Sequence, residues 1–208
     1  VCGQKHAQQL LPMIDSLCQQ ADLRVAGLDA IAFGRGPGSF TGLRIAASTA
    51  QGIGFACDIP LIGVSTLQAM AQQAFIEQHK DQVLAIMDAR MNELYLGQYT
   101  LDTNTGLMTA CVDDLICPIN VQSDALNLLN ANHYACGHGL KLWDKFDSSL
   151  QSLITQQDVD QVLKADSLFP QALSLFNAGE VLAPENIELV YLREQSHWKT
   201  IKQQKQQS

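Results

Sequence analysis

Charge is scarce in this chain. Asp, Glu, Lys and Arg together make up 16% of its 208 residues, and acids outnumber bases 21 to 13. A net charge of −8 makes the chain a poor stand-alone ligand for a polyanion, because a phosphate backbone is held mainly by Lys and Arg. Aromatic residues are also few, at 6%. No apolar run approaches the roughly 20 residues of a membrane-spanning helix, and no secretory signature is present. The six cysteines stand at 2, 18, 57, 111, 117 and 136. None forms a Cys-x-x-Cys pair, which argues against a structural zinc site. They read as reduced, mostly buried thiols of a cytosolic protein.

Hydrophobic residues, at 47%, are plentiful enough to bury a core in one large domain or two small ones. Glutamine is common, and with so few charges it predicts a largely neutral polar surface. No repeat at solenoid periods is found.

The densest signal is Gly34-Arg35-Gly36-Pro37-Gly38-Ser39-Phe40-Thr41-Gly42-Leu43-Arg44. Four glycines and one proline in nine residues, 34–42, call for unusual backbone angles and close approach. An apolar strand over 28–33 precedes the run, and a helix over 42–56 follows it. Ser39 or Thr41 caps that helix. A strand, a glycine turn and a helix start can hold an anion, and Gly36, Gly38, Ser39, Thr41 and Gly42 are the candidates. A tight connection that only packs is the plain alternative. The run is not a phosphate loop of the Walker type, since no Lys-Ser/Thr pair closes it. It also lacks the spacing of a dinucleotide fingerprint.

Ahead of the run, residues 5–20 have helical periodicity, with Leu10, Leu11, Ile14, Leu17 and Cys18 on one side. Pro12 interrupts it with a kink or marks the helix start. The helix over 42–56 carries small residues, including Ala46, Ala50, Gly52 and Gly54, which permit close approach by a neighbour. Beyond it come a strand at 61–64, a helix at 67–78 capped by Ser65 or Thr66, and a hairpin of 83–87 with 93–99. Further expectations are a strand within 107–112, a helix at 125–130, a strand at 134–136 ending on Gly137, a helix at 165–178 stopped by Gly179, a strand at 187–192 and a disordered tail from 199. Asp88 and Arg90, at the hairpin turn, are a second candidate site. They form either an ion-paired turn or a contact between lobes or with a partner.

The glycine run resembles the bacterial TsaB (YeaZ) family. So do Gly52, Ile59-Pro60-Leu61-Ile62-Gly63-Val64-Ser65-Thr66-Leu67, Met87-Asp88-Ala89-Arg90, Glu93-Leu94-Tyr95 and Val190-Tyr191-Leu192-Arg193. The resemblance spans most of the chain. It implies an α/β fold of the two-lobed actin-like/Hsp70-like (ASKHA, RNase H-like) kind. An amino-terminal lobe would cover 1–78, a second lobe 79–186, and a carboxy-terminal strand and tail 187–208. That family opens with a strand and hairpin not found here, so an amino-terminal truncation is expected.

The same resemblance implies a scaffold rather than an enzyme. Its partners would be a TsaD-like catalytic subunit and a TsaE-like ATPase, with homodimers when alone. The product would be threonylcarbamoyladenosine at position 37 of tRNA, with tRNA reached only through the complex, in the cytoplasm. Pairing would use Leu10, Leu11, Ile14, Leu17, Ala46 and Ala50. ATP and a metal would belong to the partner complex, with no cofactor or metal held by this chain. Where the catalytic relatives carry His-x-x-x-His, this chain has Thr66 and Met70, and neither replaces an imidazole ligand. The rival readings are a nucleotide-dependent phosphotransferase or ATPase and, with less support, a peptidase using Ser39. Ser39 lies outside a Gly-x-Ser-x-Gly elbow.

Overall fold

The computed structural model describes residues 6–126 and 133–193. Two sheets of unequal size organise them. The first pairs β1 (Ile31–Gly36) with β2 (Leu61–Ser65) in parallel, joined by helix α2 (Phe40–Cys57). Strand β1 starts later than the sequence predicts. Val25–Gly27 forms a 3-10 turn, and the ladder with β2 runs from Ile31–Leu61 to Gly36–Ser65. The first glycines of the run are therefore strand.

The second sheet has six strands. Its path is β5 (Leu107–Ala110), β4 (Glu93–Asp102), β3 (Gln82–Arg90), β7 (His133–Cys136) and β8 (Ile154–Asp158), and β6 (Leu115–Pro118) also pairs with β4. Strands β3 to β6 are antiparallel, whereas β7 and β8 run parallel to β3. Strand β6 was not predicted, because Pro118 and the acidic pair Asp113-Asp114 hide a four-residue apolar run. The core follows from the pattern. Leu84, Ile86, Leu94 and Leu96 fill one face of the large sheet, and Val83, Ala85, Tyr99 and Met108 fill the other.

Helix α3 (Thr66–Gln78) covers that second face. Ser65 caps it by accepting from Gln68 N–H. Its side chains correct the expectation that glutamine lies mainly on the surface. Gln72 donates to Gly106 C=O and accepts from Met108 N–H at 2.8 Å. Gln73 donates to Val162 C=O and accepts from Lys164 N–H at 3.0 Å. Gln171 donates to Gln72 at 2.7 Å. These glutamines are 2–3% exposed, so the helix is bolted to β5 and the 162–167 turn by bonds that no water replaces.

The remaining expectations divide. Helix α1 (His6–Gln20) runs through Pro12, which removes the donor for the Gln8 carbonyl. The predicted helix at 165–178 is a 3-10 turn (Ala165–Leu168) leading into α5 (Phe169–Asn177). A short helix, α4 (Ser148–Ser152), precedes β8. No strand forms at 187–192. That segment meets β1 through Val190 N–H to Arg35 C=O at 2.8 Å, too little for a ladder, while Ile187 and Leu189 cover Phe33 and Ala47. Of the expected helix at 125–130, only 125 and 126 are described, closing a 3-10 turn at Ser123–Leu126; the rest, within 127–132, and the tail from 199 lie outside the described residues. Of the five described cysteines, Cys117 and Cys136 are buried, and Cys18, Cys57 and Cys111 are partly exposed, fewer burials than expected.

A polar cluster closes the joint between the sheets. Asp114 accepts from Ser65 Oγ–H at 2.7 Å and from the Tyr99 hydroxyl. Burial raises the carboxyl pKa, outweighing the hydrogen bonds from Tyr99 and Ser65 and the nearby Arg35 charge that lower it. Gly97 is required here, since a Cβ would lie 2.5 Å from Asp114 Oδ1.

Two outcomes are expected. Gln72→Leu strands the buried Met108 N–H and Gln171 Nε2–H donors, while the partly exposed Gly106 C=O can turn to water, and urea unfolding should show a loss of about 1–3 kcal/mol for each stranded donor. The folded chain holds the Asp114 proton more tightly than the unfolded chain does. Its ionisation therefore disfavours folding as pH rises through and beyond the carboxylate range, and the penalty is relieved on acidification. The stability difference between wild type and Asp114→Asn should move toward wild type as pH falls from 7 to 4. A pH-independent difference would refute this.

Candidate functional site

The glycine run and the β3–β4 hairpin tip, 50 residues apart in sequence, face each other across a cleft of about 450 Å³. Strand β1 delivers the run, which turns at Gly36 (φ 111°) and the cis Gly36–Pro37 bond. A Cβ on Gly36 would stand 2.7 Å from Val190 C=O, so glycine is needed for the carboxy-terminal segment to pass. Ser39 is the cap of α2, its Oγ accepting from Gly42 N–H at 3.4 Å. Thr41 is exposed and does not cap, while Gly38 and Ser39 line the cleft.

Phe40 opens α2 and points its ring at Tyr191, with centroids 5.6 Å apart and planes tilted 44°. The Arg44 guanidinium lies 3.8 Å from the Phe40 ring centre, and its Nε–H donates to the Tyr191 hydroxyl at 3.3 Å. This is cation–π geometry. Phe40 and Tyr191 remain 52% and 45% exposed.

Across the cleft, Asp88 and Arg90 form the ion-paired turn. Arg90 Nη1 lies 3.1 Å from Asp88 Oδ2, and Arg90 N–H donates to Asp88 Oδ1 at 2.7 Å. The Arg90 side chain is 84% exposed, so the pair contributes little stability and leaves the guanidinium open to solvent. His138 Nδ1 accepts from Asp88 N–H at 3.1 Å, which places the other ring nitrogen's proton on Nε2 when the ring is neutral. Partial burial lowers the His138 pKa; Asp88 pulls it up, and Arg90 and Lys141 push it down.

Arg193 ties the two walls together. It ion-pairs with Glu93 and donates to Ala89 C=O at 3.1 Å and Arg90 C=O at 3.4 Å. Those carbonyls belong to a tip in which Arg90, Met91 and Asn92 all take left-handed angles, an unfavourable conformation for side chains with a Cβ. Arg193 therefore braces a strained turn from a segment already anchored at Arg35. Phe40 and Arg44 belong to the glycine run, and Tyr191 and Arg193 to the motif at 190–193, but nothing in their spacing set these side chains against one another or against the hairpin, and His138 carried no signal of the site.

The expected pairing residues fall elsewhere. Leu11 and Leu17 of α1 are 56% and 62% exposed, and Leu10 and Ile14 are half-buried. An apolar groove of about 420 Å³ runs between α1 and α2, lined by Leu11, Val25, Ile53 and Cys57. Ala46 is half-buried. Ala50 is not available on that face, because it is 4% exposed and packs with Phe33, Ala47 and Leu61 in the chain's own core. Met70 is likewise buried in the core, close to Gly137, and its carbonyl accepts from Gln161. Among the described residues no three His, Cys, Asp or Glu side chains gather as a metal site would require, and no helix is long and apolar enough to cross a membrane.

Replacing Arg193 with Met keeps the stem and removes the donors. Amide exchange at 89–93 should accelerate at least tenfold while amides at 83–87 of β3 and those of β7 keep their protection. Unchanged exchange at the tip would show that the brace is dispensable.

Comparison with known proteins follows the same lines. A family model described as TsaD, tRNA N6-adenosine threonylcarbamoyltransferase, matches residues 1–135. The tRNA threonylcarbamoyladenosine biosynthesis protein TsaB of Escherichia coli is 34% identical over 202 residues, covering 97% of this chain and 86% of that protein. TsaB of Haemophilus influenzae is 33% identical over 207 residues, covering 94% and 83%. A solved structure described as YeaZ from Pseudomonas aeruginosa superposes with a TM-score of 0.79 at 35% identity, covering 90% of this chain and 86% of that one. A second structure, described as an uncharacterised protein with similarity to peptidase YeaZ, gives 0.80 at 36% identity, covering 90% and 84%. The TsaD match stops at residue 135, whereas similarity to TsaB runs nearly end to end, and by that measure the chain belongs to the TsaB (YeaZ) family.

Proposed function

We propose that this chain is the non-catalytic subunit of a tRNA-modifying assembly. It pairs with a TsaD-like catalytic subunit, which transfers a threonylcarbamoyl group from its adenylate to N6 of adenosine 37. The observation that carries this reading is the 34% identity to TsaB over 97% of the chain. The lobes at 1–78 and 79–186 are those of an actin-like/Hsp70-like, RNase H-like fold, and the assembly works in the cytoplasm. A TsaE-like ATPase joins the pair, and ATP and metal are used there rather than by this chain alone.

The pairing surface is the apolar side of α1 with the groove against α2. Leu11 and Leu17 are exposed there, beside Val25 and Ile53. Exposed leucines in a continuous apolar groove favour a protein partner. The isolated chain covers the same face by homodimerising. Ser39 is engaged as a helix cap, an assignment that favours structure over nucleophilic chemistry.

The test is size-exclusion chromatography with light scattering, on the chain alone and mixed with the TsaD-like subunit. A one-to-one complex that displaces the homodimer is expected. Leu11→Asp with Leu17→Asp should abolish both associations and leave the far-ultraviolet circular dichroism unchanged, since both side chains are exposed. Persistence of both associations in that variant would place the interface elsewhere.

A further inference from the structure

We infer that the cleft between the glycine run and the β3–β4 tip binds an unpaired nucleotide of RNA, the base against the Phe40–Tyr191 notch and the flanking phosphates on Arg44 and Arg90. The choice of RNA rests on the reading of the chain as part of a tRNA-modifying assembly. The cleft's own chemistry supplies the rest.

The first element is a pair of half-exposed aromatic rings outside the core, with Arg44 lying over one face of Phe40. Phe40 and Tyr191 are 52% and 45% exposed, and their rings, tilted 44° with centroids 5.6 Å apart, form a wedge too narrow to admit a base between them, so a base lies against it. Stacking on such faces is available to any base once it is out of a duplex. The second element is positive charge. Arg44 is held over Phe40 and by Tyr191, and among the described residues it has no carboxylate partner. Arg90 is 84% exposed although it touches Asp88. Lys141 is near enough to act on His138 at the cleft floor. Arg193 is spent on Glu93 and adds no free charge.

A chain of net charge −8 therefore presents a cleft where the sign is locally reversed. The acidic remainder repels a long polyanion, which confines the contact to one nucleotide and its neighbouring phosphates. A paired strand has its bases stacked on each other and cannot use the wedge. The site therefore selects unpaired RNA.

The probe is a short unpaired oligoribonucleotide carrying a terminal fluorophore, followed by anisotropy with the full chain, alone and in complex with the TsaD-like subunit. The unpaired strand should bind at least tenfold more tightly than the same strand annealed to its complement. Phe40→Ala should weaken binding about tenfold, from loss of one stack, and Phe40→Trp should restore it. Two phosphate contacts predict a slope of about −1.4 in log K against log salt, and Arg44→Gln should roughly halve it. Phe40 and Arg44 are exposed, so circular dichroism and pairing with the TsaD-like subunit should be unaltered.

Equal binding of duplex, indifference to Phe40→Ala, or no binding either alone or in the complex would overturn the inference. So would complete competition by equimolar adenosine monophosphate, which would make the cleft a free-nucleotide site. Failure of the unaltered chain to pair with the TsaD-like subunit is a separate result, and it would overturn the scaffold reading instead.

Discussion

Helix α3 carries amide side chains into a place that water does not reach, and much of the architecture follows from satisfying them. Gln72 needs Gly106 and Met108, which fixes β5 against the helix. Gln73 needs Val162 and Lys164, which fixes the turn ahead of α5. A buried amide left without partners loses its hydration with nothing in return. The small sheet meets the same helix through Ser65, at once the end of β2, the cap of α3 and a donor to Asp114. The two sheets are thus joined by bonds whose geometry tolerates little displacement.

That rigidity is what makes the cleft a defined place. One wall is the turn from β1 into α2, and the other is the hairpin tip. The segment ending at Arg193 spans them, bonded to Arg35 on one side and to Ala89, Arg90 and Glu93 on the other. The tip's left-handed backbone needs such support. The pairing face proposed on α1 and α2 shares no lining residue with this cleft, so the two proposed roles do not compete for the same side chains.

The order of strands and helices was largely readable from apolar runs and their punctuation. Ser39 and Ser65 were candidate caps, with Thr41 and Thr66 as their alternatives, because a hydroxyl before a helical run has a local reason to be there, and the fold selects the two serines. The misreadings have a common cause. Residues 187–192 look like a strand by composition, but the chain spends them covering β1 and α2 on the way to Arg193 instead of building a ladder. Ala50 looks like a contact residue by size, yet it faces Phe33 and Leu61. Gln72, Gln73 and Gln171 look like surface residues by polarity, yet each has a partner far away in the sequence.

Local chemistry marks what depends on neighbours along the chain: the helix starts, the hairpin and the glycine turn, with the ion pair of Asp88 and Arg90 as one of two readings that the structure decides. Motif order over most of the length was also enough to mark the family. Whether Phe40 would meet Tyr191, Arg193 would reach Glu93, or Asp114 would lie beside Tyr99 and Ser65 was open until the chain was folded. Those contacts link residues from 15 to 151 positions apart, and each depends on where two sheets and a helix come to rest against one another. Packing satisfies them together, and no stretch of sequence read alone encodes any one of them.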